Sequence, residues 1–274
     1  MNPELLKGFI ILFFVSQALG LLVAHTLIGE NVQAQPLVND NPEDPINAVG
    51  LVAYILVFTA ILLVFIHYFK AKHSYWLLKA IESVAIFGAC AFLFSLYLNE
   101  WIALLLAVAI FAARFVWREN IWLRNLAALI AVTVAGSLLG VSLGIIPVIV
   151  VVALLAVYDL IAVFKTKHMV TLAKAVTSKN LAFTFAIPTK EHQFELGGGD
   201  LVIPLLFSAA ALKTSTLASP YVYVPALAVV LGSLIGLIVT VNIASKKVGR
   251  ALPALPLQAL LMVIFFGIAK LAGF

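Results

Sequence analysis

The feature that most constrains this chain is a succession of nine apolar stretches, each near the length of about 20 residues that crosses a bilayer. They run roughly over 8–28, 48–69, 76–98, 101–117, 123–142, 145–164, 197–216, 221–244 and 253–272. The fourth is short and the seventh opens with glycines. Composition agrees: 64% of the 274 residues are hydrophobic and 11% are charged, where a soluble domain carries about half and a quarter. The chain is expected to be an all-helical, polytopic membrane protein. The first stretch is too long for a signal-peptide core and lacks a small-x-small cleavage site, so it reads as a retained span. Cys90 is the lone cysteine and lies in an apolar run, which excludes disulfides and reads as a small buried hydrophobe.

The links between stretches alternate in charge. Residues 29–47 carry Glu30, Asp40, Glu43 and Asp44 and no lysine or arginine. Lys70 and Lys72 follow the second stretch, and Arg118 and Arg124 follow the fourth. The link 165–196 holds Lys165, Lys167, Lys174, Lys179 and Lys190, and the eighth link holds Lys246, Lys247 and Arg250. A cytoplasmic N-terminus puts fifteen of the seventeen basic residues inside and leaves only Lys213 and Lys270 outside, as the positive-inside rule requires. The net charge of +5 is thereby explained as topology, and nucleic acid is not an expected partner. The C-terminus is then outside. The apolar patch 181–187 within the basic link is expected to be an interfacial strand or a short amphipathic piece. Gly136, Gly140 and Gly144, and Gly232 with Gly236, have the four-residue spacing of closely packed helices.

Two carboxylates do not fit a greasy scaffold. Asp159 follows Tyr158 inside the sixth stretch, and Asp200 closes the run Gly197-Gly198-Gly199-Asp200 at the start of the seventh. An ionisable group at membrane depth is a functional candidate by default. Asp159 stands six residues before Lys165, so about 9 Å from the cytoplasmic end of its helix. Asp200 falls in the first turn of the next, antiparallel helix. Both acids thus lie in the cytoplasmic third of the membrane, although the topology came from the basic residues alone.

Carboxylates brought that close share a proton instead of both ionising. Aspartic proteases use such a pair: the ionised member activates a water and the protonated one polarises the carbonyl. The glycines let a substrate backbone approach without a side chain in the way. A peptide bond inside a membrane helix is shielded by its own hydrogen bonds, so a protease there must unwind it and offer replacement partners. The same acids also suit a proton relay or a cation ligand in a coupled transporter, or a structural pair. The ninth stretch opens with Pro253-Ala254-Leu255-Pro256, also on the cytoplasmic side. Prolines there fix the geometry of a helix start, and by themselves are simple span punctuation.

Taken together, Tyr158-Asp159 in span six, Gly197-Gly198-Gly199-Asp200 in span seven and Pro253-Ala254-Leu255 at span nine resemble the presenilin and signal peptide peptidase family of intramembrane aspartyl proteases. The resemblance covers the whole chain. It implies a presenilin-like fold of nine spans and hydrolysis of peptide bonds within transmembrane helices, with no cofactor and no metal. It implies Asp159 and Asp200 as the catalytic dyad. Tyr158, Gly197, Gly198, Gly199, Pro253, Ala254 and Leu255 would then shape the site and hold substrate. Gly198 takes the variable position of the glycine motif, where a larger apolar residue is common. The link between spans six and seven is much shorter than in animal presenilins, which argues against autoproteolytic maturation. The compact chain looks like an archaeal member, acting in a prokaryotic cell membrane without the accessory subunits of γ-secretase. The expected partners are the lipid bilayer and, as substrates, transmembrane segments of single-span proteins. The inside N-terminus resembles presenilin and not signal peptide peptidase, which predicts substrates whose own N-terminus is outside. The chain divides into residues 1–167 carrying Asp159, a cytoplasmic linker 168–196, and residues 197–274 carrying Asp200 and the Pro-Ala-Leu element.

Other motifs fit poorly. Gly140-Val141-Ser142-Leu143-Gly144 matches Gly-x-Ser-x-Gly but sits at an outer span boundary, not in a strand-turn-helix. There is no His-Glu-x-x-His for a zinc protease. Prepilin-type peptidases share a glycine-aspartate motif but not the Tyr-Asp and Pro-Ala-Leu positions. A proton-coupled carrier would be expected to show paired broken spans in two halves, and only Gly197 breaks one. Glu82, one helical turn after Lys79, is expected to form a snorkelling pair with it near the cytoplasmic end.

Overall fold

The computed structural model describes residues 3–35, 38–68, 71–165, 181–188, 193–245 and 253–274. Among them are nine α-helices and one two-stranded sheet. The helices are α1 (Pro3–Gly29), α2 (Ile46–Tyr68), α3 (Ala71–Ser95), α4 (Glu100–Val116), α5 (Ile121–Ser142), α6 (Ile145–Leu160), α7 (Gly199–Lys213), α8 (Val224–Ser245) and α9 (Leu255–Leu271). Each coincides with one of the nine apolar stretches. The strands β1 (Thr184–Pro188) and β2 (Gln193–Gly197) precede α7 and pair antiparallel, with Phe185 opposite Leu196 and Ala186 opposite Glu195. The apolar patch 181–187 is therefore largely strand.

Local chemistry sets the helix ends. Asn31, at φ 54°, takes the left-handed conformation just past α1. The chain reverses there, and the Val32 N–H donates to the Leu27 carbonyl at 2.9 Å, as at a glycine-type helix stop. Asn99 and Asn120 cap α4 and α5 by accepting from the N–H groups of Trp101 and Leu123, which satisfies donors that a helix start leaves orphaned. Trp101 at one end of α4 and Trp117 and Trp122 past the other are all exposed, the placement of interfacial aromatics.

Helix α7 is the centre of the bundle. Leu201 and the run from Ile203 to Leu212 are all buried, so it is apolar on every side and must be enclosed by protein. It packs against α1, α5 and α8. Its 15 residues span only about 22 Å, less than the roughly 30 Å of a hydrocarbon core. The chain before it is strand, not helix. Non-helical backbone at this depth is viable only when buried in protein or lining a wet cavity. This corrects the expected start of span seven: Gly197 ends β2, and the helix begins at Gly199.

The glycine spacings pack helices as expected. A side chain at Gly136 would strike Leu205 of α7, and one at Gly140 would strike the Leu206 carbonyl. On the other flank, a Cβ at Gly232 would lie 2.5 Å from the Leu261 oxygen and one at Gly236 2.7 Å from Gln258 Cα, so α8 and α9 meet backbone to backbone. Gly144 differs, because it faces the Glu43 side chain in the acidic loop.

That loop is stitched to the α5–α6 junction and to the end of α7. The Gly144 N–H donates to the Pro42 carbonyl at 2.8 Å and the Ala34 N–H to Ser142 Oγ at 2.7 Å. Lys213, the last residue of α7, donates from Nζ to the Val141 carbonyl of α5 at 2.6 Å and to Gln33 Oε1 at 3.2 Å.

The Lys79–Glu82 pair exists, at 2.5 Å, but it does not snorkel. Lys79 is 6% exposed and Glu82 1%. Arg114 of α4 joins them, 3.1 Å from Glu82 Oε1. A second cation closing on the carboxylate is what permits this burial.

Candidate active site

Asp159 lies in the last turn of α6, directly before a π-helical turn over Ile161–Lys165. Such turns cluster at functional positions because they re-aim side chains. Asp200 is the second residue of α7. Both are half-buried, and their carboxyl groups lie within electrostatic reach of each other. Tyr158 is half-buried and within the same reach of Asp159.

The three glycines hold Asp200 in different ways. The Gly197 N–H donates to the Asp200 carboxylate, and a Cβ there would sit 3.3 Å from Oδ2. The Gly198 N–H donates to the Phe183 carbonyl at 3.1 Å, extending the hairpin by one rung. A Cβ at Gly198 would sit 3.0 Å from that oxygen. Gly198 also borders an apolar cavity of about 180 Å³, with Ala128, Val132, Phe183 and Val202 among its walls. Gly199 is exposed and faces open space. Pro204 has no N–H to offer the Asp200 carbonyl one turn back, so the first turn of α7 is incompletely bonded.

The Pro-Ala-Leu element reaches the same point from the other side. The Leu255 N–H donates to Asp159 Oδ2 at 3.3 Å. Leu255, and not Pro253, is the first residue of α9; Ala254 is its cap, and Pro256 fills the first turn. Leu255 is buried, and Pro253 and Ala254 are half-buried beside it. The structure thus brings Asp159, Asp200, Gly197 and Leu255 to one place, from four elements. Among the described residues no cluster of three or more His, Cys, Asp or Glu side chains offers a metal site.

Residues outside the sequence motifs brace the hairpin. Arg124 of α5 is 0% exposed. Its guanidinium donates to the Thr184 carbonyl at 3.2 and 3.3 Å and to Thr184 Oγ1 at 2.7 Å, and pairs with Glu195 of β2. The Thr184 hydroxyl donates to Glu195 Oε2 at 2.6 Å. Asn125 exchanges two hydrogen bonds with the main chain of Ala186, at 2.8 and 2.9 Å. The Ala182 N–H donates to Glu82 Oε1 at 2.9 Å. Sequence reasoning assigned Arg124 to topology and overlooked Asn125 and Glu195. The available signal was the acid at 195 inside a basic link, five residues before Asp200.

A family model described as signal-peptide peptidase, presenilin aspartyl protease matches residues 10–273. The fold matches two solved structures of a presenilin family intramembrane aspartate protease. One, in space group C222, has a TM-score of 0.73 at 22% identity and covers 97% of this chain and 99% of its own. The other, in space group P2, has a TM-score of 0.70 at 22% identity and covers 99% of each chain. No curated protein matches the sequence.

Proposed function

The chain belongs to the signal-peptide peptidase and presenilin family of aspartyl proteases, and from that premise we propose that Asp159 and Asp200 are its catalytic dyad. It is a multi-pass membrane enzyme that hydrolyses peptide bonds within the bilayer. The observation that carries the assignment is the meeting of three motifs, around residues 159, 200 and 255, at one half-buried point.

The reaction follows from one proton shared between two carboxyls. The ionised aspartate takes a proton from water as the water oxygen bonds to the scissile carbonyl carbon. The protonated aspartate donates to the carbonyl oxygen. The tetrahedral diol then loses its C–N bond: the protonated carboxyl gives its proton to the leaving amine, the ionised one takes a proton from a diol hydroxyl, and the dyad again holds one proton. No acyl-enzyme forms. The Gly197 and Leu255 N–H groups hold the two acids, and Tyr158 lines the groove beside them.

The substrate must reach the dyad extended, because a helical peptide bond is shielded. The sheet has only two strands among the described residues, and β2 runs straight into Gly197. An unwound substrate segment adding along β2 would recover its lost backbone bonds and lie beside Asp200. Gly197, Gly198 and Gly199 leave room for it, and Pro253, Ala254 and Leu255 close the other side. Residues 1–167 present Asp159 and residues 197–274 present Asp200. The charge pattern supports a cytoplasmic N-terminus, and with it single-span substrates whose N-terminus is outside; the compact chain, similar to an archaeal member, supports a prokaryotic cell membrane. The linker 168–196 lies in part outside the described residues.

Cleavage of a labelled single-span peptide in detergent tests the dyad. Asp159→Ala and Asp200→Ala, each folded, are expected to abolish cleavage and the parent to retain it. Cleavage surviving either change would remove that residue from the dyad. No cleavage by the parent, with no binding of an aspartic-protease transition-state analogue, would point to ion-coupled transport.

A further inference from the structure

A strand has two hydrogen-bonding edges, and alternate residues address alternate edges. In and just before β1, residues 183, 185 and 187 face β2: Phe183 bonds Gly198, and Phe185 and Ile187 stand opposite Leu196 and Phe194. Residues 182, 184 and 186 address the other edge, and each ends on a helix side chain. Ala182 meets Glu82, Thr184 meets Arg124, and Ala186 meets Asn125 with both its N–H and its carbonyl. Side chains of α3 and α5 therefore stand where a third strand would stand.

Apolar packing could hold the hairpin as firmly. Replacing a buried ion pair by packed hydrophobic groups is often neutral or stabilising. What apolar contacts cannot do is choose a register, because they do not distinguish one main-chain position from the next. Three polar side chains matched to three alternate backbone groups do choose it. An isolated two-stranded hairpin is marginal and free to slip, and a slip of one residue is a shift of about 3.3 Å. Arg124 extends the grip to the second strand through Glu195, five residues before Asp200.

We propose that Glu82, Arg124 and Asn125 are positioning residues of the protease: they cap the β1 edge, fix the hairpin in register, and so set the place of Asp200 and leave β2 as the edge for substrate backbone. The proposal rests on the assignment of Asp200 as catalytic. The three residues act through the hairpin and touch no reacting atom.

Asn125 is the cleanest probe, because it is neutral and its removal strands no charge. The labelled peptide is digested by parent, Asn125→Ala and Asn125→Asp, and the products are mass-analysed. Asn125→Ala is expected to lower kcat by about ten- to a hundredfold, as ångström-scale misplacement does, and to spread cleavage over neighbouring bonds. Asn125→Asp keeps an acceptor for the Ala186 N–H and is expected to restore a single cut and part of kcat. Parental kcat with a single parental cut in folded Asn125→Ala would overturn the proposal. Should Asn125→Ala not fold, Asn125→Ser, too short to bridge both groups of Ala186, carries the same expectation and the same refutation. Asp200→Asn in the same assay separates this from the dyad. If Asp200→Asn still cleaves, the dyad assignment fails on its own. Amide exchange over 181–188 then decides the edge cap: about tenfold faster in the Asn125 variant sustains it, and unchanged exchange refutes it.

Discussion

The backbone N–H of Leu255 donates to the Oδ2 of Asp159 at 3.3 Å, which joins the first turn of α9 to the last turn of α6. A helix start has N–H groups without intrahelical partners and a partial positive charge. Pro253 and Pro256 have no N–H at all, so within Pro253-Ala254-Leu255-Pro256 only Ala254 and Leu255 can donate. The flanking prolines thus restrict which donor meets the carboxylate.

It follows that the backbone of Leu255 matters more than its side chain. Leu255→Ala keeps the N–H and is expected to lose less than about tenfold in kcat. Leu255→Pro removes the donor and is expected to lose roughly 10- to 100-fold, the worth of a hydrogen bond to a charged group. Steady-state kinetics on the labelled peptide distinguishes them; equal losses would place the effect in the side chain.

Glu82 separates stability from activity. Glu82→Ala leaves Lys79 and Arg114 buried without their anion and is expected to cost roughly 3–5 kcal/mol, read as a lower melting temperature in detergent. The triple change Lys79→Met, Glu82→Leu, Arg114→Met is expected to recover most of the melting temperature. It still leaves the Ala182 N–H without its acceptor, so kcat should stay low. Recovery of both together would make Glu82 purely structural.

The helix contacts predict opposite outcomes at two glycines. Gly232→Leu drives a side chain into the Leu261 carbonyl of α9 and is expected to destabilise by about 1–3 kcal/mol. Gly88 is exposed and a Cβ there would meet nothing within 4 Å. Gly88→Ala is expected to stabilise by up to about 1 kcal/mol, since glycine is a poor helix former. Thermal melts of both variants check the pair.

At Asn31 the left-handed backbone sets the order of substitutions. Asn31→Gly is expected to be neutral, while Asn31→Val should cost about 1–2 kcal/mol. A melting temperature unchanged by valine would show that the reversal after α1 tolerates another backbone path.

Topology is checked with reporter fusions. A phosphatase fused in the loop at Asp40 is expected to be active, and one fused at Lys174 inactive. The reverse pattern would invert the orientation and, with it, the expected orientation of substrates.

The nine spans were legible because lipid fixes both the length and the polarity of a crossing segment. The acids stood out because a carboxylate at membrane depth is costly whatever its role. The hairpin was half legible. Phe183, Phe185 and Ile187 alternate with small residues, as a strand does. Gln193-Phe194-Glu195-Leu196 also alternates polar with apolar, the period of a half-buried strand, but four residues beside a glycine run are too short a pattern to stand out. Hydropathy merged Gly197 with the following span, since nothing local marks where strand gives way to helix. Arg124 and Glu82 were misread for a common reason. Spacing showed that Lys79 and Glu82 are neighbours on one helix face. It could not show that Arg114 arrives from α4, or that Arg124 turns inward to Thr184. Those are tertiary encounters, and a basic residue near a span end looks the same whether it faces phosphate headgroups or a buried strand.

Helix α7 is tied to α5 near both of its ends. Lys213 is fastened to the last turn of α5, and the acidic loop is fastened to the α5–α6 junction. Asp200 sits at the opposite end of α7, about 20 Å away. There the hairpin that leads into α7 is gripped by Arg124 and Asn125 of the same α5. Over that arm a tilt of about 3° would displace Asp200 by about 1 Å, so ties at both ends hold α7 against the rocking that would part Asp200 from Asp159.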